Sequence, residues 1–321
     1  MINIINKLKY LELFAGTGIG GIALDHYGCV NIGYSEYDKF AIQNYNANFP
    51  NRINYGDITK INGKDLPNFD IIIGGSPCTQ ISMMSKTWSK DNKVKGLKGK
   101  DSSLFYDYMR ILNYKLPKYF IFENVKNLLS SNNGEDFTIV KNSFQKKYNI
   151  KYQIMNTADY NIPQTRRRLY IVGQRKDLGN FTYNFPQKEQ LKYTMQDLLQ
   201  EHVLDKYYLS NKMYNCIMSP GTKNWISGKM EINLSIARTL TSTMHKMHRA
   251  DTDNYISTTY KPLEKTNVRR LTPRECARLQ GLPNTYKIIV SDTQAYRLMG
   301  NAMSLNVVSK IVKNLIEYIK N

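Results

Sequence analysis

The chain is poor in the residues that build metal sites and disulfide frameworks. Its 321 residues include four cysteines and four histidines. The cysteines, Cys29, Cys78, Cys216 and Cys276, are far apart and provide neither a Cys-x-x-Cys pair nor a Cys and His set at metal-ligand spacing. This pattern argues against structural zinc and against a disulfide framework. We therefore expect no bound metal ion and a reducing, cytoplasmic environment.

Long apolar runs and acidic residues are also scarce. No run approaches the roughly 20 apolar residues of a membrane span, and the first residues lack the features of a signal peptide. The 26 Asp and Glu residues are outnumbered by 45 Lys and Arg, which gives a formal net charge of +19. Such an excess attracts a polyanion, so we expect nucleic acid as the partner and no membrane. The alternative is that the lysines are merely solvated.

Apolar strands alternate with helical stretches from about residue 9 to residue 175, which predicts βαβ units around a parallel sheet. The predicted strands cover residues 10–14, 31–36, 70–74, 119–123, 152–156 and 169–173. Residues 180–268 are more polar and weakly periodic, which suggests a second, smaller domain. An apolar stripe near the end of the chain predicts a core helix, and it contains Val307, Val308, Ile311, Val312, Leu315, Ile316 and Ile319.

A strand, a glycine loop and a helix are predicted for the stretch LELFAGTGIGGIALDHYG. Gly16, Gly18 and Gly21 match G-x-G-x-x-G, and Glu36 follows at the end of the next strand. This arrangement is typical of a nucleotide-type pocket in which the acid accepts hydrogen bonds from ribose hydroxyls. It does not distinguish NAD from S-adenosylmethionine. Asp57 would either accept from an adenine amino group or serve as an ordinary turn residue.

The stretch IIIGGSPCTQI at residues 71–81 predicts a buried strand that stops at glycine and proline. Cys78 follows the carboxyl end of this strand, where ligands bind in open α/β sheets. Most free cysteines are small buried hydrophobes, so packing remains the alternative for this stretch taken alone.

Six motifs, in this order along the chain, resemble those of the cytosine-5 DNA methyltransferases: ELFAGTGIGG, GGSPC, FENV, QTRRRLYIVG, LTPRECARLQGLP and GNAMSLNVV. The resemblance covers nearly the whole chain except the variable stretch before Arg269. It implies a Rossmann-like, S-adenosylmethionine-dependent methyltransferase fold of class α/β. Residues 1–178 would form the catalytic and cofactor-binding domain, residues 179–268 a target recognition domain, and residues 269–321 a segment that completes the catalytic domain.

The resemblance also implies catalytic roles. Cys78 would add to C6 of a cytosine flipped out of the duplex, and Glu123 would hold N3 of the ring. Arg166 and Arg168 would line the base pocket and contact its phosphate, with Arg168 near the cysteine. Arg167 is expected to be a surface charge.

Binding residues follow from the same resemblance. The residues expected to hold S-adenosylmethionine are Phe14, Ala15, Gly16, Thr17, Gly18, Ile19, Glu36, Tyr37, Asp57, Ile58, Pro77, Leu104, Asn301 and Ala302. Those expected to contact DNA are Ser82, Lys86, Lys98, Arg166, Thr239, Leu240, His245, Lys246 and Arg249. The lysine-rich residues 79–103 are expected to form a catalytic loop that folds over the DNA.

The resulting hypothesis is a DNA cytosine-5 methyltransferase of a restriction-modification system, acting on double-stranded DNA in the bacterial cytosol or nucleoid. We expect a monomer, with a cognate restriction endonuclease that forms no stable complex with it. One alternative is a tRNA cytosine methyltransferase of the same family, although the Cys-Phe-Thr element of that branch is absent. Two further alternatives are a nicotinamide-dependent oxidoreductase and a catalytically inactive DNA-binding protein.

Overall fold

The structure is a computed structural model that describes residues 8–77, 104–219, 221–222, 225–226, 230–246 and 249–320. The predictions for Cys78, Ser82, Lys86 and Lys98, and for a catalytic loop at residues 79–103, lie outside the described residues.

Strands and helices alternate in the first half of the described chain. The strands are β1 (Lys9–Leu13), β2 (Val30–Ser35), β3 (Ile71–Gly74), β4 (Tyr119–Val125), β5 (Tyr148–Asn156), β6 (Gln164–Thr165), β7 (Arg167–Arg175), β8 (Tyr208–Ser210), β9 (Gly221–Thr222), β10 (Trp225–Ile226), β11 (Ala237–Arg238), β12 (Tyr255–Ser257) and β13 (Lys265–Arg270). The α-helices are α1 (Ile19–His26), α2 (Lys39–Asn48), α3 (Leu104–Lys115), α4 (Glu135–Gln145), α5 (Asn211–Met218), α6 (Pro273–Leu279), α7 (Asp292–Asn301) and α8 (Leu305–Lys320).

Among the described residues, six strands form the central sheet, in the order β2-β1-β3-β4-β7-β5. All six strands predicted from the apolar runs are present. Strands β2, β1, β3 and β4 run parallel, but β7 is antiparallel to β4, so the prediction of a parallel sheet is wrong there. The physical reason is the short connection between β5 and β7, which are neighbours in the sheet. Residues 157–166 join the two strands. This stretch is shorter than the dozen or so residues that a parallel crossover needs, so β7 turns back along the sheet.

The main core lies around this sheet. Ile71, Ile72 and Ile73 of β3 are completely buried, as expected for a central strand covered on both faces. Aromatic rings from β4 and α4 pack together, with Phe120 stacked on Phe144 at a centroid separation of 4.4 Å. In α8 the predicted apolar stripe is buried from Val307 to Ile316, which confirms it as a core helix.

The chain divides into two compact units. The first contains Met1–Met155, Arg167–Gln187 and Val307–Asn321, and the second contains Asn156–Arg166 and Lys188–Asn306. The second unit includes a three-stranded sheet in the order β12-β13-β8. These bounds differ from the functional domains expected at residues 1–178, 179–268 and 269–321, which stay predictions.

None of the helices in the described ranges is long and apolar enough to cross a lipid bilayer.

Candidate active site

The loop between β1 and α1 has the backbone conformation that its glycines allow. Gly16 and Gly18 have φ angles of 51° and 77°, which residues other than glycine rarely adopt. Phe14, with a φ angle of 53°, is an exception. Within the described ranges, a Cβ atom on Gly16 would meet only the Phe14 carbonyl oxygen, at 3.8 Å. A Cβ atom on Gly18 would lie 2.4 Å from the Phe49 ring. The first glycine therefore leaves the backbone open to a ligand, whereas the second permits close packing.

Glu36 fixes this loop from the end of β2. Its Oε2 accepts a hydrogen bond from the Gly16 amide at 3.0 Å, and its Oε1 accepts from the amides of Tyr37 and Asp38 at 2.8 and 2.9 Å. Burial raises the pKa of Glu36 above its ordinary value. A carboxylate has about four lone-pair sites, so one acceptor direction remains for a ligand hydroxyl. The arrangement therefore fits a ribose.

Asp57 is already engaged in a local cap. Its Oδ1 accepts from the amide and the hydroxyl of Thr59 at 3.0 and 2.9 Å, and these hydrogen bonds lower the pKa of Asp57. The ordinary turn role is thus present, and a contact with adenine stays a prediction. The remaining expected cofactor residues differ in exposure: Ala15, Thr17, Ile19, Ile58 and Ala302 are buried, Pro77 and Leu104 are partly buried, and Tyr37 and Asn301 are exposed.

A carboxylate next to the glycine loop is buried, and no functional role was predicted for it from the sequence. Glu12, in β1, is completely buried; its Oε1 accepts from the Gly21 amide at 3.0 Å and its Oε2 from the Tyr45 hydroxyl at 3.0 Å. Desolvation raises the pKa of Glu12 to about 7. Arg52 donates to the Tyr45 hydroxyl at 3.1 Å. The signal was an acid within the apolar strand KYLEL, where a buried charge needs partners.

At the two glycines before Cys78, Gly74 and Gly75, a side chain would clash with neighbouring atoms. A Cβ atom on Gly74 would lie 2.4 Å from the Leu13 carbonyl oxygen, and one on Gly75 would lie 2.6 Å from Oε2 of Glu123. Asn124 donates from Nδ2 to the Ser76 carbonyl oxygen at 3.4 Å. The FENV motif therefore contacts the segment that leads into Cys78.

Glu123 and Arg168 form an ion pair at the edge of the sheet where β4 ends and β7 begins. In the antiparallel pair of β4 and β7, Val125 lies opposite Arg168, and Glu123 lies opposite Tyr170. Side chains of diagonal partners lie on one face and are within reach when they are long. Nε of Arg168 lies 3.1 Å from Oε1 of Glu123, and the side chains are 17% and 15% exposed. An acid and a cation are thus paired beside the segment before Cys78.

Arg166 differs from Arg168. Its side chain is 2% exposed; Nη1 donates to the Leu240 carbonyl at 3.0 Å, and Nη2 donates to the carbonyls of Gly300 and Ala302 at 3.1 and 2.5 Å. These contacts give Arg166 a structural task that the sequence did not reveal. Its expected contact with the base or a phosphate stays a prediction. Arg167 is exposed, as expected.

Comparison with known proteins assigns the family. A family model described as C-5 cytosine-specific DNA methylase matches residues 8–317. The chain belongs to this family. The type II methyltransferase M.SsoII of Shigella sonnei is 34% identical over 97% of this chain and 80% of the relative. The type II methyltransferase M.HhaI of Haemophilus parahaemolyticus is 34% identical over 98% of this chain and 97% of the relative.

Solved structures show the fold of this DNA methylase. The Entamoeba histolytica methyltransferase EhMeth has a TM-score of 0.77 at 20% identity, with 98% of this chain and 99% of that chain covered. The Dnmt2 methyltransferase of S. pombe has a TM-score of 0.74 at 20% identity, with 98% and 100% covered. The Rossmann-like α/β fold and the enzyme class, DNA cytosine-5 methyltransferase, are therefore confirmed. The recognition domain stays a prediction.

The expected DNA-contacting residues of this DNA methylase occupy varied environments. Leu240 is 1% exposed, and the Thr239 hydroxyl donates to the Thr165 carbonyl at 2.5 Å. Arg249 forms an ion pair with Asp253 at 3.2 Å, and burial raises the pKa of Asp253 to about 6. His245 is partly buried and Lys246 is exposed. Contacts of these five residues with DNA stay predictions.

No group of three or more His, Cys, Asp or Glu side chains that could hold a metal ion occurs among the residues that the structure describes.

Proposed function

We propose that this DNA methylase transfers a methyl group from S-adenosylmethionine to C5 of a flipped-out cytosine in a specific double-stranded DNA sequence, through a covalent bond between Cys78 and C6. The observation that carries the proposal is the ion pair between Glu123 and Arg168, at 3.1 Å. It lies at the edge of the sheet where β3 ends and the chain leads into Cys78.

The proposed chemistry needs a nucleophile and a group that withdraws charge from the ring. A thiolate adds to C6, but with an ordinary pKa of about 8.5 only a small fraction of thiol is ionised at neutral pH, so a nearby cation favours the reaction. Arg168 is the proposed cation. Glu123, oriented by Arg168, takes up a proton and donates it in a hydrogen bond to N3 while electron density moves to C5. Methyl transfer to C5 leaves S-adenosylhomocysteine as the product, a base then removes the C5 proton, and Cys78 is eliminated from C6.

Residues of the first unit fit the cofactor. S-adenosylmethionine supplies an electrophilic methyl group when it is bound. The open backbone at Gly16 would admit it, and the remaining acceptor direction of Glu36 would take a ribose hydroxyl. Glu12 holds the first turn of α1 through the Gly21 amide.

The substrate proposed for this chemistry is duplex DNA. The net charge of +19 suits a polyanion, and extrusion of the base costs a few kcal/mol because stacking and pairing are lost. The lysine-rich residues 79–103 are the proposed loop that closes over the extruded base. The tRNA alternative is not favoured, because the curated relatives above are type II methyltransferases. A cognate restriction endonuclease, a monomeric state and a bacterial cytosolic location belong to the same proposal.

Bisulfite sequencing of DNA from cells that express the protein tests this function and finds the target sequence. We expect cytosine protection at one short sequence, absent from cells that express Cys78→Ser, because a hydroxyl is a far weaker nucleophile. Cys216→Ser is the matched control, since Cys216 is an exposed cysteine of α5, and it should keep the protection. Unprotected DNA in cells with folded wild-type protein would contradict the proposal.

A further inference from the structure

Side chains of the QTRRR motif hold both backbone polar groups of Leu240. Oε1 of Gln164 accepts from the Leu240 amide at 3.1 Å, and Nη1 of Arg166 donates to the Leu240 carbonyl at 3.0 Å. The Thr239 hydroxyl donates to the Thr165 carbonyl at 2.5 Å. In addition, β6 and β11 pair in parallel immediately before Thr239. The motif therefore fixes this stretch of backbone from one side.

The end of α7 holds the next residues from another side. A Cβ atom on Gly300 would lie 2.2 Å from the Ser242 amide nitrogen and 2.2 Å from the Thr241 carbonyl carbon. Such distances leave room for a hydrogen atom only, so the two backbones are in direct contact. Arg166 reaches this helix end as well, because its Nη2 donates to the carbonyls of Gly300 and Ala302.

One buried guanidinium thus joins the Leu240 carbonyl to the end of α7. A guanidinium is a rigid planar fork with five donors, whereas a lysine ammonium is a compact charge on a flexible stem. Lysine at position 166 could not reach both sets of carbonyls in the same geometry. Loss of either set would leave carbonyls without a partner in an interior where Arg166 is 2% exposed.

We propose that Arg166 is a positioning residue for target recognition: it fixes the backbone of residues 239–242, so that this segment meets DNA in one register and discriminates the cognate site from near-cognate sites. The inference rests on the proposed function, in which Thr239 and its neighbours contact DNA. Discrimination depends on placement because base edges and phosphates offer hydrogen bonds at fixed positions. A loosely held segment would bind similar sequences with similar affinity.

The test compares Arg166→Lys with Arg167→Lys, a matched control that retains the same charge at the exposed neighbouring position. Fluorescence anisotropy gives the dissociation constants of the cognate duplex and of a duplex with one base pair changed, and methyl transfer gives kcat and KM on both. We expect the ratio of the two dissociation constants to fall by about tenfold in Arg166→Lys, the effect of one charged hydrogen bond lost. Arg167→Lys should keep the wild-type ratio.

A lower kcat with an unchanged ratio in folded Arg166→Lys would overturn the proposal, because a merely structural role reduces the amount of active protein without changing discrimination. Circular dichroism establishes folding. If Arg166→Lys does not fold, Gly300→Ala disturbs the same segment from the other side and must lower the ratio. A wild-type protein that discriminates in binding but transfers no methyl group would contradict the proposed function instead, and the ratio would still be measurable.

Discussion

Arg168 and Glu123 are joined across two antiparallel strands, with Nε of the arginine 3.1 Å from Oε1 of the glutamate. The pair depends on the register of β4 and β7, which places Val125 opposite Arg168 and brings the first residues of β7 to the carboxyl end of β4. A parallel β7 would carry Arg168 to the opposite edge of the sheet. The direction of one strand thus determines which cation accompanies the acid.

Replacement of Arg168 by methionine should lower kcat by about tenfold to a hundredfold, because a misplaced catalytic group costs that much. The change removes the ion-pair partner of Glu123 but keeps a long side chain. Arg167→Met, at the exposed neighbouring position, should keep kcat. Single-turnover methyl transfer measures both variants, and equal rates for the two would contradict the role given to the pair.

An alanine at position 75 should displace Glu123, because its Cβ atom would lie 2.6 Å from Oε2 of that residue. We expect Gly75→Ala to lower kcat while the affinity for S-adenosylmethionine stays unchanged. Gly28→Ala is the control, since a Cβ atom there meets no described residue within 4 Å; the φ angle of 79° at this position costs stability but not activity. Steady-state kinetics with calorimetry separates the two effects. A wild-type kcat for Gly75→Ala would contradict the prediction that the placement of Glu123 beside Gly75 is needed for catalysis.

Glu36→Gln should weaken S-adenosylmethionine binding by about tenfold to a hundredfold, since charge-assisted hydrogen bonds to the loop and to the ligand are lost together. The glutamine amide has one acceptor oxygen, whereas the carboxylate accepts from three backbone amides with both oxygens. Isothermal titration calorimetry measures the dissociation constant. The exposed Asp65→Asn is the control for the loss of one negative charge, and equal affinities in the two variants would exclude Glu36 from the cofactor site.

Glu12 should make folding stability depend on pH. Burial raises the pKa of Glu12 from 4.5 to about 7, so the folded protein retains a proton that the unfolded chain has released between these values. Stability contributed by this group therefore falls as the pH rises through that window, by at most about 3 kcal/mol for the full shift.

Urea unfolding of the wild type and of Glu12→Gln over the same pH range isolates this contribution. The free energy of unfolding of Glu12→Gln should fall less with rising pH than that of the wild type. The exposed Glu201→Gln should follow the wild type. Identical pH profiles for wild type and Glu12→Gln would contradict the assignment.

Local patterns in the sequence were sufficient to predict the strands of the central sheet and the glycine loop. Apolar runs predicted the six strands of the central sheet, and the spacing of Gly16 and Gly18 predicted the loop that Glu36 holds. These features depend on neighbouring residues and on periodicity, which a single sequence displays directly. The resemblance of the motifs then gave the enzyme class.

Long-range placement could not be predicted in the same way. The partners of Arg166 lie 74 residues away at Leu240 and 134 residues away at Gly300, and no local pattern indicates such contacts. The antiparallel direction of β7 depends on the short connection from β5, which the apolar runs alone did not reveal. The buried partners of Glu12 likewise come from α1 and α2.

The covalent bond between Cys78 and C6 is tested most directly with a duplex that carries 5-fluorocytosine at the target cytosine. Fluorine cannot leave as the C5 proton does, so methyl transfer should trap the enzyme on the DNA. Incubation with S-adenosylmethionine, proteolysis and mass spectrometry should locate a stable adduct on the peptide that contains Cys78, and Cys78→Ser should give none. Methylation of the normal duplex without any adduct on the fluorinated one would contradict the account.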